Sequence, residues 1–306
     1  SVQMKNMKGG VAVVTGGGSG LGKAIAQEAA RRGMRVVIAD VQAEAMNAAV
    51  KELRASGADA IGVLTDVTSA ASVEALAEAA ERQFGPANLV FNNAGVASGG
   101  PIWESTEKDW KWVFAVNVAG VANGVRSFTP RMLAAAAADP AYQGCIVNTA
   151  SMAGLVTAPG MGIYSVSKHA VIAISECLYH DLDLAGDQVK TAVLCPSYVT
   201  TNISQCYRTR PADLANESGP TKSQLATQAI SAKDLANGSL TAEEVASITF
   251  QAIEVGQFYV YPSPELLPIV KNRLDNIAAG SNPDIPYEDI PMFKERRDRL
   301  KEALAS

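Results

Sequence analysis

The sequence has few of the residues that build metal centres or disulfide frameworks. Its 306 residues include two histidines and four cysteines. The cysteines, Cys145, Cys177, Cys195 and Cys206, are scattered, with no Cys-x-x-Cys pair and no histidine at ligand spacing. The pattern therefore indicates neither a metal site nor a disulfide scaffold, and it favours reduced thiols in a cytoplasmic protein.

Long apolar runs and long basic runs are also absent. Nowhere do eighteen apolar residues follow one another, and the first eight residues have no signal-peptide core. We therefore expect a soluble protein with no membrane partner. The chain carries 26 Lys and Arg against 31 Asp and Glu, a net charge of −5. Because nucleic-acid binding needs a basic surface, we expect no nucleic-acid partner.

What the sequence does contain is a regular alternation. From residue 10 to about residue 262, short β-branched runs alternate with alanine-rich amphipathic stretches. Runs such as Val11–Val14 are nearly continuous in apolar residues, as strands buried on both faces are. The alternation predicts one α/β domain in which helices cover both faces of a parallel sheet. The strand candidates are Val11–Thr15, Arg35–Asp40, Ala60–Leu64, Asn88–Asn92, Cys145–Ala150, Lys190–Cys195 and Gln257–Val260.

Two segments break the alternation. Residues 203–240 are polar, interrupted by Pro and Gly, and without strand signals, so we expect short helices there. Because ligands of open α/β sheets lie beyond the carboxyl ends of the strands, this segment is predicted to be a substrate lid within a catalytic domain of residues 9–262. A plain surface insertion is the alternative. Residues 263–306 form a C-terminal extension whose charged helix candidate, Phe293–Leu304, packs on its own domain or on a neighbouring subunit.

A glycine-rich turn, Gly-Gly-Gly-Ser-Gly-Leu-Gly, runs from Gly16 to Gly22 after the first strand candidate. Because glycine has no Cβ, backbone N–H groups at such a turn and at the following helix N-terminus can cradle a pyrophosphate. The spacing G-x-G-x-x-G does not fit from Gly16, since the sixth position is Leu21, and the pattern is Gly-x-x-x-Gly-x-Gly. A tight turn without a ligand is the alternative. The strand before it and the helix after it favour a dinucleotide site.

The second strand candidate ends in Asp40, 18 residues beyond Gly22. A carboxylate at this place can accept hydrogen bonds from the adenosine ribose hydroxyls, and it would repel a 2′-phosphate. Neither Val41 nor Ser19 offers a positive charge that a 2′-phosphate would need. The sequence therefore predicts NAD rather than NADP, with a purely turn-forming Asp40 as the alternative.

A hydroxyl, a phenol and an ammonium follow in the stretch from Ser151 to Lys168. Tyr164 and Lys168 are four residues apart, so a helix would place both on one face. A nearby cation in a water-poor cleft lowers the pKa of a tyrosine from about 10 towards neutrality. Tyr164 would then be a usable acid or base at a carbonyl group. Taken alone, Tyr-x-x-x-Lys is also a common surface pair.

With these motifs, Asn92-Asn93-Ala94-Gly95 and Asn117 make the chain resemble the classical short-chain dehydrogenase/reductase family over residues 9–262. The resemblance implies a Rossmann-type doubly wound sheet of seven strands and NAD-dependent oxidation or reduction at a CH–OH group. The implied catalytic tetrad is Asn117, Ser151, Tyr164 and Lys168. The expected cofactor contacts are Gly16, Ser19, Gly20, Leu21, Gly22, Asp40, Val41, Asp66, Val67, Asn93, Ala94, Gly95, Tyr164, Lys168, Pro196, Val199 and Thr201.

The resemblance also implies a role for each group. Tyr164 would exchange a proton with the substrate oxygen that Ser151 holds. Lys168 would lower the pKa of Tyr164 and bind the nicotinamide ribose, and Asn117 would anchor a water that relays protons. Asp66 and Val67 would contact the adenine side, and Asn93, Ala94 and Gly95 would line the cofactor floor. The Pro-Gly turn of the family reads Pro196-Ser197 here, so a serine replaces the glycine.

The enlarged 203–240 segment and the Tyr259–Glu265 stretch resemble, more weakly, the branch of bacterial Cα-dehydrogenases of lignin-derived aryl ethers. This likeness suggests a bulky or aromatic secondary alcohol, and the family habit suggests a homodimer or homotetramer. One alternative is a non-catalytic regulator that senses NAD(H). Another is a dehydratase or epimerase that retains its cofactor. No motif assigns His169 or His180 a role, and we expect both to be structural.

Overall fold

Strands and helices alternate along the chain, as expected. A computed structural model describes residues 4, 6–197, 199–200, 203–238, 240–284 and 290–306. The strands in these residues are β1 (Val11–Thr15), β2 (Arg35–Asp40), β3 (Ala60–Leu64), β4 (Leu89–Asn92), β5 (Gly144–Thr149), β6 (Val189–Leu194), β7 (Val199–Thr200), β8 (Leu240–Thr241) and β9 (Tyr259–Val260). The α-helices in them are α1 (Gly20–Arg31), α2 (Ala43–Ala55), α3 (Ala70–Phe84), α4 (Glu107–Phe114), α5 (Gly120–Ala138), α6 (Gly162–Leu184), α7 (Lys222–Ala236), α8 (Ala242–Val255), α9 (Leu267–Ala279) and α10 (Pro291–Ala305).

Seven parallel strands form the central sheet in the order β3-β2-β1-β4-β5-β6-β9. The first three match their predicted bounds, and the other four begin or end one or two residues from them. The predicted doubly wound α/β fold is confirmed. The strand order reverses between β1 and β4, so a crevice opens at their carboxyl ends, where ligands of such sheets bind.

The sheet is buried on both faces, which explains its apolar runs. Ala12 and Val14 of β1 pack with α1, α2 and α8, whereas Val11 and Val13 face α3, α5 and α6. Phe91 at the centre is fully buried, and its ring lies 5.6 Å from that of Phe250. Alternate residues of one strand thus serve two cores, as the alternation of side chains across a strand requires.

The predicted lid segment, residues 203–240, consists mainly of short helices, as expected. It contains 3₁₀ turns at Ile203–Thr209 and Ala212–Leu214, followed by α7. The expectation that strands are missing there is corrected at the end of the segment, since β8 pairs in parallel with β7. A two-residue strand has too short a pattern to be read from sequence, and tertiary contacts decide its pairing.

The described part of the C-terminal extension contains two α-helices, α9 and α10. The predicted helix Phe293–Leu304 is present as the slightly longer α10, whereas α9 was not among the predicted elements. Of the two packing partners considered, the structure shows the protein's own domain, because α10 packs against α7. Leu300 of α10 is only 4% exposed as a result.

Candidate active site

The glycine-rich turn between β1 and α1 has no room for side chains at its closest points. A Cβ on Gly22 would lie 2.1 Å from the Gly16 carbonyl oxygen and 2.7 Å from Asn93 Nδ2. Gly16 has a φ of +64°, and a Cβ on it would lie 3.0 Å from the Cα of Ala94. Glycine is therefore required at both positions, and the turn presents bare backbone to a ligand.

The first turn of α1 adds the positive end of a helix to this backbone. Ser19 is the N-cap residue, and its side chain makes no capping hydrogen bond. The first turn contains no acidic residue. Consequently no carboxylate of that turn competes with an anion for the N–H groups of Gly20, Leu21 and Gly22. The turn fits a pyrophosphate for this reason.

Asp40 is fixed at the carboxyl end of β2, beside the glycine turn. Its Oδ2 accepts a hydrogen bond from Gly18 N at 2.9 Å, and its Oδ1 accepts one from Gln42 N at 3.0 Å. The residue therefore does shape the turn, which was the alternative interpretation. Each carboxylate oxygen still has a lone pair for a ribose hydroxyl. Val41, which follows, is 52% exposed and uncharged.

Asp66 and Val67, predicted on the adenine side, follow β3, which neighbours β2. Asp66 Oδ1 accepts hydrogen bonds from the backbone N and the hydroxyl of Thr68. The Val67 carbonyl accepts a hydrogen bond from Asn123 Nδ2 at 2.8 Å. A Cβ on Gly120 would lie 2.9 Å from Val67 Cγ2, so α5 packs directly on this position. The pair is thereby held at the same sheet edge as Asp40.

The loop after β4 is fastened by hydroxyl groups from two neighbouring strands. Thr15 Oγ1 accepts hydrogen bonds from Asn93 N at 2.9 Å and from Ala94 N at 3.1 Å. Thr149 Oγ1 donates to Asn93 Oδ1 at 2.9 Å. The carboxyl ends of β1, β4 and β5 are thus joined through one loop, the expected cofactor floor.

Tyr164 and Lys168 both lie in α6, at the helical spacing that the sequence suggests. Lys168 Nζ lies 5.6 Å from the centroid of the Tyr164 ring and donates to the Thr149 carbonyl at 3.1 Å. The ammonium is buried, and burial lowers the pKa of Lys168 to about 8, an effect that the nearby Cys195 opposes. A Cβ on Gly95 would lie 3.4 Å from Nζ, so the ammonium faces the predicted floor.

Asn117 lies in a π-helical turn, Ala115–Ala119, between α4 and α5, and it is fully buried. Its Oδ1 accepts a hydrogen bond from Val96 N at 2.8 Å. Its Nδ2 donates to the Val96 carbonyl at 2.9 Å and to Ser167 Oγ at 3.0 Å. Ser167 Oγ in turn donates to the Tyr164 carbonyl at 2.7 Å. Asn117 therefore joins the loop after Gly95 to the turn of α6 that carries the phenol.

Ser151 follows β5, and Pro196 follows β6. Ser151 Oγ accepts a hydrogen bond from Ala153 N at 3.0 Å and donates a long one, 3.4 Å, to the Pro196 carbonyl. That carbonyl also accepts from Met152 N at 2.9 Å. The hydroxyl is thus placed at the carboxyl edge by two strand ends.

The remaining predicted cofactor contacts, Pro196, Val199 and Thr201, lie on either side of Ser197 in the sequence. Ser197 is half-buried. Val199 is the first residue of β7 and pairs with Leu240. Thr201 lies outside the described residues. The structure therefore places Pro196 and the Val199 backbone at the carboxyl edge of the sheet, and the cofactor contacts of Pro196, Val199 and Thr201 stay predictions.

Neither histidine belongs to this group of side chains. His169 Nδ1 lies 2.7 Å from the Ser165 carbonyl, and burial lowers the pKa of the imidazole, partly opposed by the Ser165 hydrogen bond. His180 is exposed and lies edge-on to Tyr179. Within the described ranges, no three His, Cys, Asp or Glu side chains are grouped to hold a metal. In the same ranges, no helix has the length and apolarity needed to cross a membrane.

Two residues of the site were missed in the sequence, Thr15 and Thr149. Thr15 supplies one hydroxyl to two backbone N–H groups, and Thr149 supplies both its hydroxyl and its carbonyl. Each is a polar residue at the carboxyl end of a buried strand. That position is the signal that would have identified them, because a buried hydroxyl needs partners at the ligand edge.

Known proteins resemble this chain over most of its length. A family model described as short chain dehydrogenase matches residues 10–212. A CLA biosynthesis dehydrogenase/reductase from Lactiplantibacillus plantarum is 33% identical, over 94% of this chain and 99% of the relative. A C alpha-dehydrogenase from Sphingobium sp. is also 33% identical, over 86% of this chain and 83% of the relative.

A solved structure resembles the chain more strongly. A short chain dehydrogenase/reductase from Burkholderia phymatum, in complex with NAD, is 48% identical, with a TM-score of 0.89 over 92% of this chain and 98% of that one. The predicted family is confirmed by these matches, and a Cα-dehydrogenase is among the relatives. The protein belongs to the short-chain dehydrogenase/reductase family and is an oxidoreductase that acts on CH–OH groups.

Proposed function

We propose that the protein uses NAD to interconvert a secondary alcohol and a ketone, with a bulky or aromatic substrate. One observation carries the proposal. A Cβ on Gly95 would lie 3.4 Å from Lys168 Nζ and 3.5 Å from Asn117 Oδ1, so two members of the implied tetrad meet the cofactor floor at one glycine. A protein that only senses dinucleotides has no need of this meeting point.

The residues present fit NAD. The cradle at Gly16 and Gly22 is one that a Cβ would fill, and the first turn of α1 carries no acidic side chain. Asp40 would accept hydrogen bonds from the adenosine ribose, and Lys168 would donate hydrogen bonds to the nicotinamide ribose. When bound, NAD supplies the acceptor for the hydride of the carbinol carbon. The NAD complex of the Burkholderia phymatum relative supports the choice of cofactor.

The chain's own task is to hold the alcohol and to take its proton. The ammonium of Lys168 favours the phenolate of Tyr164, which then removes the proton from the substrate hydroxyl. Ser151 would hold the substrate oxygen, since its 3.4 Å bond to the Pro196 carbonyl is weak enough to exchange. Both amide hydrogens of Asn117 are in use. We therefore assign Asn117 to fixing the π-helical turn where the relay water binds.

Residues 203–240 act in this proposal as a substrate lid of the 9–262 catalytic domain. The segment is tied to the loops beside the site: Cys206 Sγ accepts a hydrogen bond from Ala97 N at 3.3 Å. Arg210 pairs with the buried Asp109 at 2.9 Å and lies over the Trp112 ring. A bulky substrate would be enclosed by this segment, and the Cα-dehydrogenase relative supports an aromatic one.

A screen of secondary alcohols tests the function. Wild-type protein is mixed with NAD and with 1-phenylethanol, cyclohexanol or 2-propanol, and the reduced nicotinamide band is recorded. Release of NADH in an amount equal to the ketone formed supports an alcohol dehydrogenase. NADH binding without turnover would support the regulator, and product formation without net NADH would support a cofactor-retaining dehydratase or epimerase.

Assembly and location are part of the same proposal. The family habit supports a homodimer or homotetramer, which sedimentation at micromolar concentration would test. The four cysteines are unpaired in the structure, which agrees with the proposed cytoplasmic location.

A further inference from the structure

The loop that joins β5 to α6, residues 150–161, is bonded from outside by two arginines of the C-terminal extension. Arg273 of α9 donates from Nη1 to the Leu155 carbonyl at 2.9 Å. Arg296 of α10 donates from Nε to the Pro159 carbonyl at 3.0 Å and from Nη2 to the Gly160 carbonyl at 3.3 Å. The middle of this loop and its end next to Tyr164 are thus fixed by residues far along the chain.

Gly160 is where this support meets the rest of the pocket wall. Its φ is +76°, and a Cβ on it would lie 2.7 Å from Leu300 Cδ1 and 3.3 Å from Thr227 Oγ1. Its carbonyl also accepts a hydrogen bond from Gly100 N at 2.8 Å. The loop after β4, the lid helix α7 and the C-terminal helix α10 therefore converge on one residue. A shift of α10 at this point would therefore reach both the loop after β4 and α7.

Arg296 is buried to an unusual degree for an arginine, with 6% of its surface exposed. Burying a guanidinium is costly unless its hydrogen bonds and its charge are matched. The carbonyls of Pro159 and Gly160 accept its hydrogen bonds. Burial raises the pKa of Asp234 of α7, and the nearby Arg296 charge opposes that rise. On the surface, Lys233 and Glu295 pair between the same two helices at 3.1 Å.

The inner side of the loop is supported differently. Ser165 Oγ of α6 shares its one hydrogen between the Ala153 carbonyl at 2.7 Å and the Val156 carbonyl at 3.1 Å. These bonds fix the half of the loop near Ser151. The half next to Tyr164, at Pro159 and Gly160, receives the bonds from Arg296.

We propose that Arg296 and Arg273 are positioning residues, which hold the 150–161 loop in the shape that binds the substrate side of the pocket. The proposal rests on the proposed function, because it takes this loop as the wall met by a bulky alcohol. Both arginines lie beyond residue 212, where the family match ends. The C-terminal extension thus sets substrate fit, while the tetrad sets the chemistry.

The test compares Arg296→Met, Arg273→Met and Arg296→Lys with wild type. The matched control is Arg299→Met on the same helix, whose side chain is 43% exposed. Hydrogen exchange of the 150–161 loop is measured without ligands. We expect about tenfold faster exchange in the two methionine variants, because charged hydrogen bonds are lost, and no change in the control. Arg296→Lys keeps the charge but not the two-pronged geometry, so an intermediate rate is expected.

The kinetic arm uses 1-phenylethanol as the bulky probe and 2-propanol as the compact one. We expect KM for 1-phenylethanol to rise about tenfold in the methionine variants, with kcat, KM for 2-propanol and the Kd of NAD nearly unchanged. A general loss of folded protein would instead lower both rates together and would appear in Tm. Arg296→Lys serves as the test protein if Arg296→Met does not fold.

The outcomes separate this inference from the function. If wild type oxidises no alcohol, the proposed function is contradicted. The hydrogen-exchange measurement still decides, in that case, whether the two arginines hold the 150–161 loop. Exchange at wild-type rates in every variant overturns the proposal. Faster exchange with an unchanged KM for 1-phenylethanol also overturns it, because the loop would then be held without serving the substrate.

Discussion

The ammonium of Lys168 and the carbonyl of Thr149 are joined by a 3.1 Å hydrogen bond in a buried site. The pKa of Lys168 falls to about 8 there because burial disfavours the charged form. Keeping Lys168 charged in this buried position lowers the free energy of unfolding of the protein. The stability of the protein should therefore depend on pH.

Stability should therefore rise with pH between about 8 and 10.5. In that window the unfolded chain still holds the Lys168 proton while the folded chain has lost it, so deprotonation favours folding. Below pH 8 both states are protonated and the full cost, roughly 3 kcal/mol, applies. Urea unfolding of wild type and Lys168→Met from pH 7 to 9.5 measures this. The free energy of unfolding of wild type should rise with pH relative to that of Lys168→Met, and a constant difference would contradict the burial of a charged lysine.

Tyr164→Phe tests the acid–base assignment. The change removes one oxygen and keeps the ring, so turnover should fall by about 10² to 10⁴-fold while the Kd of NAD changes little. Tyr179→Phe is the matched control, since Tyr179 lies on the same helix and is 49% exposed. Steady-state kinetics with NAD and fluorescence titration give the two quantities. Turnover close to wild type in Tyr164→Phe would refute the role.

The cofactor preference should depend on Asp40. In the double variant Asp40→Ser and Val41→Arg, a carboxylate is removed and a guanidinium suited to a 2′-phosphate is added. The ratio of kcat/KM for NADP to that for NAD should rise by roughly 30-fold to 100-fold. Val41→Arg alone, which keeps the carboxylate, should change the ratio less. Wild type that already uses both cofactors equally would show that Asp40 does not face the ribose.

Gly22→Ala should abolish cofactor binding. The new Cβ would lie 2.1 Å from a backbone oxygen of Gly16, so the cradle must open to admit it. Gly219→Ala is the control, because no atom lies within 4 Å of a Cβ at that position. Isothermal titration with NAD compares the two, with circular dichroism to show that each is folded. Unchanged NAD affinity in a folded Gly22→Ala protein would exclude the cradle as the pyrophosphate site.

Ligands should protect residues 203–240 from proteolysis. Among the apolar side chains of this segment, Leu214 packs near Trp112, whereas Tyr207 and Leu225 are 62% and 51% exposed. Closure over NAD and substrate would bury the two exposed side chains and slow cleavage. Limited digestion with and without NAD and 1-phenylethanol, followed by mass spectrometry, measures the rates. Equal rates would leave substrate choice to the 150–161 loop alone.

The central sheet could be predicted because its signals are local. Buried parallel strands are continuous β-branched runs, and the glycine turn, Asp40 and the Tyr164–Lys168 spacing each lie within one or two elements. The pairing of β7 with β8 could not be predicted, since two residues carry no periodic pattern. The contacts of Arg296 could not be predicted either. They join residues 136 or more positions apart, and nothing in the local sequence around Arg296 distinguishes it from the exposed Arg299.

The β7–β8 pair also bears on how this protein could change its substrate. Val199 and Thr200 lie beside Leu240 and Thr241, so the two ends of the lid segment are pinned together at its base. The entropy of closing a flexible loop grows only with the logarithm of its length, about 0.6 kcal/mol for each doubling. Insertions in the exposed turn at residues 217–220, which precedes α7, would thus cost the fold little. The proposed lid can therefore vary in length at that turn, while the sheet beneath it stays as it is.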